Sequence, residues 1–258
     1  MHAHIVLAHP EPLSFNGRLV EIAKMALQDE GWTVTISDLY SMGFDPCERS
    51  DFYPNLKDET RFNVQAEQRY ASDQGNIPVD VKDEIERLDS ADLLILQYPM
   101  WWHLPPAILK GWYDRVFLYG EVYTSSKRFE SGRFSNKRAM LSVTVGTSQE
   151  TYAYNGRSGD IDLMLWPVNF TLAFVGYKVL TPFVAYSVEA AISYSNPALV
   201  EQRLQNIENN LANRCRFLDD VAEVPFNRME HWGNDGRIKP SAPAFSPFIR
   251  HSKKLDLE

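Results

Sequence analysis

Cysteine is scarce in this chain: Cys47 and Cys215 are the only two in 258 residues, and no CxxC pair occurs. That argues against a disulfide-stapled scaffold and a thiolate metal site, and it suits a reducing cytoplasm; no metal site is expected. Excess positive charge is missing too. With 26 Lys and Arg against 34 Asp and Glu, the net charge is −8, so there is no electrostatic footprint for nucleic acid and no polybasic cluster for anionic lipid. No apolar run approaches the roughly 20 residues that span a bilayer, which excludes membrane insertion by a helix. The opening "MHAHIVLAHP" is too short for a signal peptide and lacks its charged start. Glycine-rich phosphate loops are absent as well: neither GxGxxG nor GxxxxGK(S/T) occurs, so the dinucleotide fingerprint and the Walker loop are both excluded. No internal repeat or low-complexity block is visible.

What is present is an alternation of strand and helix signals. Residues 4–8 (HIVLA) form a short apolar run closed by His9 and Pro10, the mark of a buried strand. Residues 15–32 place Leu19, Val20, Ile22, Ala23, Ala26 and Leu27 at helical spacing, with Gly31 as a C-terminal cap. Further strands are expected over 33–40, 92–99, 137–146 and 178–187. Further helices are expected over 79–91, 106–117, 159–176 and 196–218, with Pro106 suited to a first turn and the third of them passing through Pro167. Residues 49–76 show no clear period and read as a polar surface excursion. Five strands separated by helices imply an α/β fold, a five-stranded parallel sheet with helices on both faces. Beyond Val221 the pattern stops, so the division expected is a domain over 1–222 and an irregular C-terminal tail over 223–258.

In an open parallel sheet, ligands collect outside the carboxyl ends of the strands. The loops to inspect are "HPEPLSFN", "YPMWWHLP" and "VGTSQETYAYNGRSGD". Ser14 and Asn16 stand at a helix start, where they serve either as ordinary N-caps or as donors that help the free N–H groups hold an anion. His9 is either a packed loop residue or a ligand contact. The stretch "QYPMWWHLPPAILKGWYDRVF" sets two tryptophans and a histidine between prolines. Either its aromatics plug a gap in the core, or they wall a site for a flat ligand.

Taken together, "VLAHPEPLSFN", "QYPMWWHLPPAILKGWYDRVF" and "LSVTVGTSQETYAYNGRSGDIDLMLWPVN" resemble the NAD(P)H:quinone oxidoreductases of the DT-diaphorase type, flavoenzymes with a flavodoxin-like fold. The likeness extends to about Ser187, and "PAILKGW" with "GD…LWP" carries most of its specificity. The resemblance implies that Pro99, Met100, Trp101, Trp102 and His103 line the isoalloxazine ring and the substrate cavity. Read as packing, Trp101 and Trp112 fill the core; Trp112, in mid-helix, is kept there, and Trp102, on the loop, is placed at the flavin. The resemblance places His9, Ser14, Phe15 and Asn16 on the FAD phosphates and ribityl chain. Thr144, Val145, Gly146 and Thr147 match the loop whose N–H groups bond the pyrimidine end, and Gly146 also matches the substrate side. Tyr123, Ser125 and Phe174 match substrate-cavity positions contributed across a dimer interface, although the family has a tyrosine where this chain has Ser125. Trp102 and His103 share that cavity. Asn63 falls where the family has a glutamine near the flavin, and Arg203 matches an arginine on the adenosine portion.

The same resemblance implies a homodimer using NAD(P)H as co-substrate and passing hydride through flavin N5 to a quinone or similar aromatic acceptor by ping-pong kinetics. FAD is expected over FMN, because "HPEPLSFN" offers one serine with His9 and Asn16, a sparse cradle for a phosphate dianion but adequate for a bridging pyrophosphate. Tyr152 matches a flavin-adjacent tyrosine. In the mammalian enzymes a histidine follows six positions later; this chain has Ser158 there, preceded by Arg157. Serine holds no proton near neutral pH, so the expectation is that Tyr152 donates a hydrogen bond and Arg157 supplies the compensating charge. The basic run over 126–138 reads either as a solvated face or as an attractor of dinucleotide phosphates. Two alternatives remain open: an azo or nitroaromatic reductase, and a flavin-containing regulatory subunit of a bacterial potassium-efflux transporter.

Overall fold

The structure is a computed structural model and describes residues 1–188 and 196–252. Its centre is a parallel sheet of β1 (His2–Leu7), β2 (Thr33–Asp38), β3 (Leu93–Pro99), β4 (Arg138–Thr144), β5 (Lys178–Val179) and β6 (Phe183–Ala185). The order is β2-β1-β3-β4-β5, with β6 also pairing to β4. The expected fifth strand is therefore present in two pieces on one edge. Pro182 lacks a donor for the ladder, and between the pieces Thr181 N turns away to Ala222 O at 2.8 Å while Leu180 bridges to Glu223. Every residue of β3 is buried, as a central strand covered on both faces requires. β2 lies at the other edge and alternates between more and less exposed positions.

The helices are α1 (Phe15–Asp29), α2 (Val64–Gln74), α3 (Val79–Ser90), α4 (Ala107–Val116), α5 (Ile161–Phe174) and α6 (Pro197–Arg216). On one face, α1 and α6 cover Ala3, Ile5, Leu93 and Ile95. On the other, α3, α4 and α5 cover Val6, Leu94, Leu96 and Val143. The helix α2 corrects the reading of 49–76 as an irregular excursion. Its inward face consists of Glu67, Gln68 and Ala71, so no hydrophobic period advertises it. Glu67 accepts from Lys57 N at 2.6 Å and Asp58 N at 3.3 Å, and Gln68 accepts from Tyr119 N at 3.0 Å. A helix seated by hydrogen bonds rather than by an apolar stripe is invisible to pattern analysis.

After α6 the chain is irregular, as expected, and residues 253–258 of the expected tail lie outside the described residues. It packs by aromatic contact: Phe248 stacks on Trp166 of α5 at 4.8 Å, and Met229 N donates to the Glu130 carboxylate at 3.0 Å. Among the described residues no helix is long and apolar enough to cross a membrane. Both cysteines are free, and burial pushes the Cys215 thiol up to about 12, outside thiolate chemistry at neutral pH.

A buried polar knot joins α3 and α4 to the sheet. Glu84 accepts from Trp112 Nε1 at 2.7 Å and Ser37 Oγ at 2.7 Å, pairs with Arg87, and stands 3.9 Å from His4 Nε2. Trp112 is 0% exposed, so the core assignment holds for this indole. Burial alone would raise the Glu84 pKa, yet its ring of hydrogen-bond donors outweighs burial and holds it below the ordinary value. A carboxylate so held stabilises the fold at pH above its unfolded value of about 4.3 and loses that contribution as pH falls through its folded value. Trp112→Phe removes one charge-assisted bond and is expected to cost about 2–3 kcal/mol in urea denaturation. It should also shift the acid-unfolding midpoint to higher pH; coincident midpoints for parent and variant would show that the indole N–H contributes nothing to the knot.

Candidate functional site

The chain order reverses between β1 and β3, and there the loops leaving β1, β3 and β4 converge. A buried cluster fastens them from below. Gln97 Nε2 of β3 donates to Asn16 Oδ1 at 2.8 Å, and Asn16 Nδ2 donates to Thr144 Oγ1 of β4 at 3.1 Å. Main-chain bonds continue the tie: Ala8 N to Gln97 O at 3.0 Å and Met100 N to Thr144 O at 2.9 Å. Asn16 is thus not an N-cap. Ser14 caps α1, accepting from Gly17 N at 3.2 Å. Gly17 is required by the close approach of the loop, since a Cβ there would stand 2.1 Å from Pro12 O. His9 accepts from Glu11 N at 3.0 Å, and its ring lies 6.1 Å from that of Trp101.

The loop after β3 is a tight two-residue turn. Trp101 N bonds Leu104 O at 3.0 Å and Leu104 N returns the bond to Trp101 O at 3.1 Å. Its central residues, Trp102 and His103, have φ of 52° and 64°, the left-handed region that such turns normally fill with Asn and Gly. Bulky residues held there cost about 1–3 kcal/mol each. The result is that Trp102 is 93% exposed while Trp101 is half covered. For Trp102, then, the reading as a core plug fails. A strained turn that lifts an indole away from the core is a feature that packing alone does not produce.

After β4, Val145 N bonds Ala185 O at 2.9 Å and Ser187 N bonds Thr147 O at 2.9 Å. The nearest atom to a Cβ built on Gly146 would be Val188 O at 3.9 Å, so its outer side is open. The N–H groups of Phe15, Asn16, Trp102, His103, Gly146 and Thr147 bond no acceptor among the described residues. They gather at one sheet edge, a donor set suited to an acceptor-rich ring and a phosphate. The residues present therefore fit a flavin. Tyr152 is half-buried at the end of the short helical turn that follows this loop, its ring 6.4 Å from Tyr186. Ser158 N closes the following turn on Thr151 O at 3.0 Å. Arg157 is exposed and forms no ion pair among the described residues.

Other expected site residues lie elsewhere. Tyr123 and Phe174 pack together at 5.5 Å, with Phe129 5.2 Å from Phe174, and they border a cavity of about 750 Å³ between α2, α4 and α5. Ser125 is exposed in the turn just beyond Tyr123. Asn63 caps α2 by accepting from Ala66 N at 3.2 Å; it is Gln65 that reaches Tyr123, at 3.4 Å from the hydroxyl. Arg203 lies in the second turn of α6, partly buried. No hydrogen bond or ring contact among the described residues joins the Tyr123 and Phe174 cluster to the Trp102 loop. The basic run is largely spoken for: Arg133 pairs with Asp89 and Glu121 at 2.7 Å each, Lys137 donates to Asp89 O and Ala91 O at 2.6 Å, and Arg138 pairs with Asp219 at 2.7 Å. Lys127 and Arg128 form no ion pair among the described residues. Gln97 went unnoticed in the sequence, although a polar residue inside the apolar run of β3 is itself a signal.

A sequence profile for the flavodoxin-like fold family matches residues 1–211. The chain is 44% identical over 188 residues to NAD(P)H dehydrogenase (quinone) 1 of Cavia porcellus, covering 72% of this chain and 68% of that protein. It is 40% identical over 208 residues to ribosyldihydronicotinamide dehydrogenase (quinone) of Homo sapiens, covering 79% of this chain and 90% of that protein. A solved structure from Klebsiella pneumoniae, assigned as a quinone reductase, superposes with a TM-score of 0.81 at 33% identity, over 93% of this chain and 92% of that one.

The cluster beneath the loops makes its own prediction. Gln97→Leu leaves Asn16 Oδ1 buried without that donor and is expected to cost about 1–3 kcal/mol. Hydrogen exchange at the Ala8 and Met100 N–H groups should accelerate well beyond the change at β2. Uniform acceleration across the sheet would mean that Gln97 stabilises the fold generally and does not tie the loops.

Proposed function

The chain belongs to the flavodoxin-like fold family that includes the quinone-reducing NAD(P)H and ribosyldihydronicotinamide dehydrogenases, and from that premise we propose that it is an FAD-dependent NAD(P)H:quinone oxidoreductase. When bound, the flavin supplies the relay of a hydride between the nicotinamide and the quinone. The protein supplies position and charge. Phe15 and Asn16 N–H groups, at the positive end of α1, hold the pyrophosphate. Gly146 and Thr147 N–H groups bond the acceptor edge of the ring, with Thr144 and Val145 fixing their loop. Pro99, Met100 and Trp101 form the support on which Trp102 and His103 wall the slot. His9 and Ser14 order the phosphate loop, and Arg203 and Asn63 are assigned to the outer parts of the cofactor.

The observation that carries this reading is the exposed Trp102 on its strained turn beside the unbonded N–H groups. A flat ligand gives that indole a partner, and the water lost from both apolar faces is the return on the strain. Donor and acceptor are both flat, so one slot serves each in turn. Tyr123, Ser125 and Phe174 stand apart from that slot on this chain, and in a homodimer they close the slot of the second copy. The free cysteines suit a cytoplasmic setting. Residues 1–222 form the flavin-binding domain and 223–258 an extension.

Two measurements test this. Denaturation of the purified protein should release FAD; release of FMN alone overturns the pyrophosphate assignment. Steady-state reduction of a soluble quinone should give parallel double-reciprocal lines, and intersecting lines would refute the shared slot. The roles of Tyr152 and Arg157 need a third. Tyr152 donates a hydrogen bond and Arg157 a permanent positive charge to the region where reduction places negative charge. Arg157→Ala is expected to slow the NAD(P)H half-reaction at least about tenfold, roughly 1.4 kcal/mol. The parent should show little pH dependence between about 6 and 8, since Ser158 stands where a titrating histidine would otherwise respond. An unchanged rate would leave Arg157 with no part in the reaction.

A further inference from the structure

Arg128 is a partly buried cation of the basic run that lacks a carboxylate. Arg133 and Arg138 are ion-paired and Lys137 is bound to carbonyls, whereas Arg128 forms no ion pair or hydrogen bond from its side chain among the described residues. Its Nε is shielded from solvent and unsatisfied. The guanidinium lies over the Phe174 ring, 6.0 Å from the centroid. At that distance a cation–π contact is near its outer limit and replaces little of the lost hydration. A partly buried guanidinium in this condition calls for an anionic partner.

Backbone strain holds the arrangement. Phe129, immediately after Arg128, has φ of 51°, an outlier for a bulky side chain. Reversing the chain there sends Phe129 inward against Phe170 at 5.8 Å and Phe174 at 5.2 Å. Arg128, one residue earlier, is left over the same Phe174. Strain that persists at one residue is maintained by its surroundings, and such sites cluster where ligands bind.

We propose that Arg128 determines specificity by binding an anionic substituent, a carboxylate, sulfonate or phosphate, on the flat ring that lies along Phe174. The proposal rests on the reading above in which Tyr123 and Phe174 wall the slot of the second copy. Guanidinium and a planar oxyanion match in geometry and in charge, and the pair forms in a site already partly closed to water. Two carriers present this chemistry: an acidic quinone, and the phosphate of a nicotinamide nucleotide.

The test uses the holoenzyme and separates the half-reactions by stopped flow. A naphthoquinone sulfonate and its neutral parent quinone serve as acceptors, and NADPH as donor. For Arg128→Met, the expectation is a loss of about tenfold in kcat/KM for the sulfonated quinone with less than about twofold change for the neutral one. Arg128→Lys should recover part of the preference, and added salt should erode it in the parent. A loss confined to the NADPH half-reaction would instead assign the anion to the nucleotide phosphate. Calorimetric binding of naphthalene-2-sulfonate, a ring that is not reduced, supplies a reading independent of turnover and should weaken about tenfold in Arg128→Met. If the parent turns over quinones but Arg128→Met changes none of these quantities, the proposal is overturned while the oxidoreductase reading stands. If the parent reduces no quinone at all, that reading fails, and the acceptor role of Arg128 with it.

Discussion

The hydrogen bonds from Gln97 to Asn16 and from Asn16 to Thr144 join the start of α1 to the ends of β3 and β4 through buried side chains. Three loops leave the sheet at its carboxyl edge, and besides these side chains only a few main-chain bonds, such as Ala8 N to Gln97 O and Met100 N to Thr144 O, link one to the next. Asn16 sits at the start of α1, Gln97 near the end of β3 and Thr144 at the end of β4, so one amide side chain sets the distance among all three. Buried amides and hydroxyls do this better than apolar contacts because their bonds have fixed directions, and because the cost of leaving one unpaired removes alternative registers. The N–H groups above the cluster inherit that geometry. A donor cradle built from three separate loops works as one surface only if the loops cannot drift apart.

The Trp102 turn is a second consequence. Two bulky residues in the left-handed region would open an unsupported turn. Here the turn is clamped by its own pair of main-chain bonds, by Met100 N on Thr144 O, and by Pro105 and Pro106 at the entry to α4. Rigidity on both sides lets the strain persist, and the strain holds the indole clear of the core. Trp112, ten residues later, shows the opposite solution. Its body is fully buried and its single polar atom is satisfied by Glu84. The two tryptophans share a sequence neighbourhood, and backbone conformation alone assigns one to packing and the other to a surface.

Much of this was legible from residue order. Strands β1, β3 and β4 announce themselves as apolar runs, and the loops after them carry the aromatics, glycine and hydroxyls from which the site was located. What escaped did so for identifiable reasons. Helix α2 turns Glu67 and Gln68 inward, and a hydrophobic period cannot register a helix seated by polar groups. The fifth strand reads as one apolar stretch, while Pro182 and the bonds of Thr181 and Val224 to the chain near Ala222 and Val179 divide it. The sequence left the basic run open between a solvated face and a phosphate attractor because two of its partners, Asp89 and Asp219, are distant in sequence. Pairing over such separations is a property of the fold, and it reduced the run to the few cations left without a carboxylate.

The C-terminal residues 223–252 follow from the same logic of local satisfaction. They form no sheet or long helix, yet Asn227 is buried with its amide on Pro243 O at 2.7 Å, and Val224 N returns to Val179 O at 2.8 Å. Their aromatics extend a chain already present in the domain. Phe248 stacks on Trp166, Trp166 on Phe170 at 4.6 Å, Phe170 meets Phe129 at 5.8 Å, and Phe129 meets Phe174 at 5.2 Å. Glu130, next to Phe129, accepts the Met229 N–H. The strained Phe129 turn is therefore held from the α5 side by ring contacts and from the extension by the Met229 N–H on the Glu130 carboxylate. An irregular segment with little secondary structure thereby contributes rigidity at the turn that leaves the Arg128 guanidinium over the Phe174 ring.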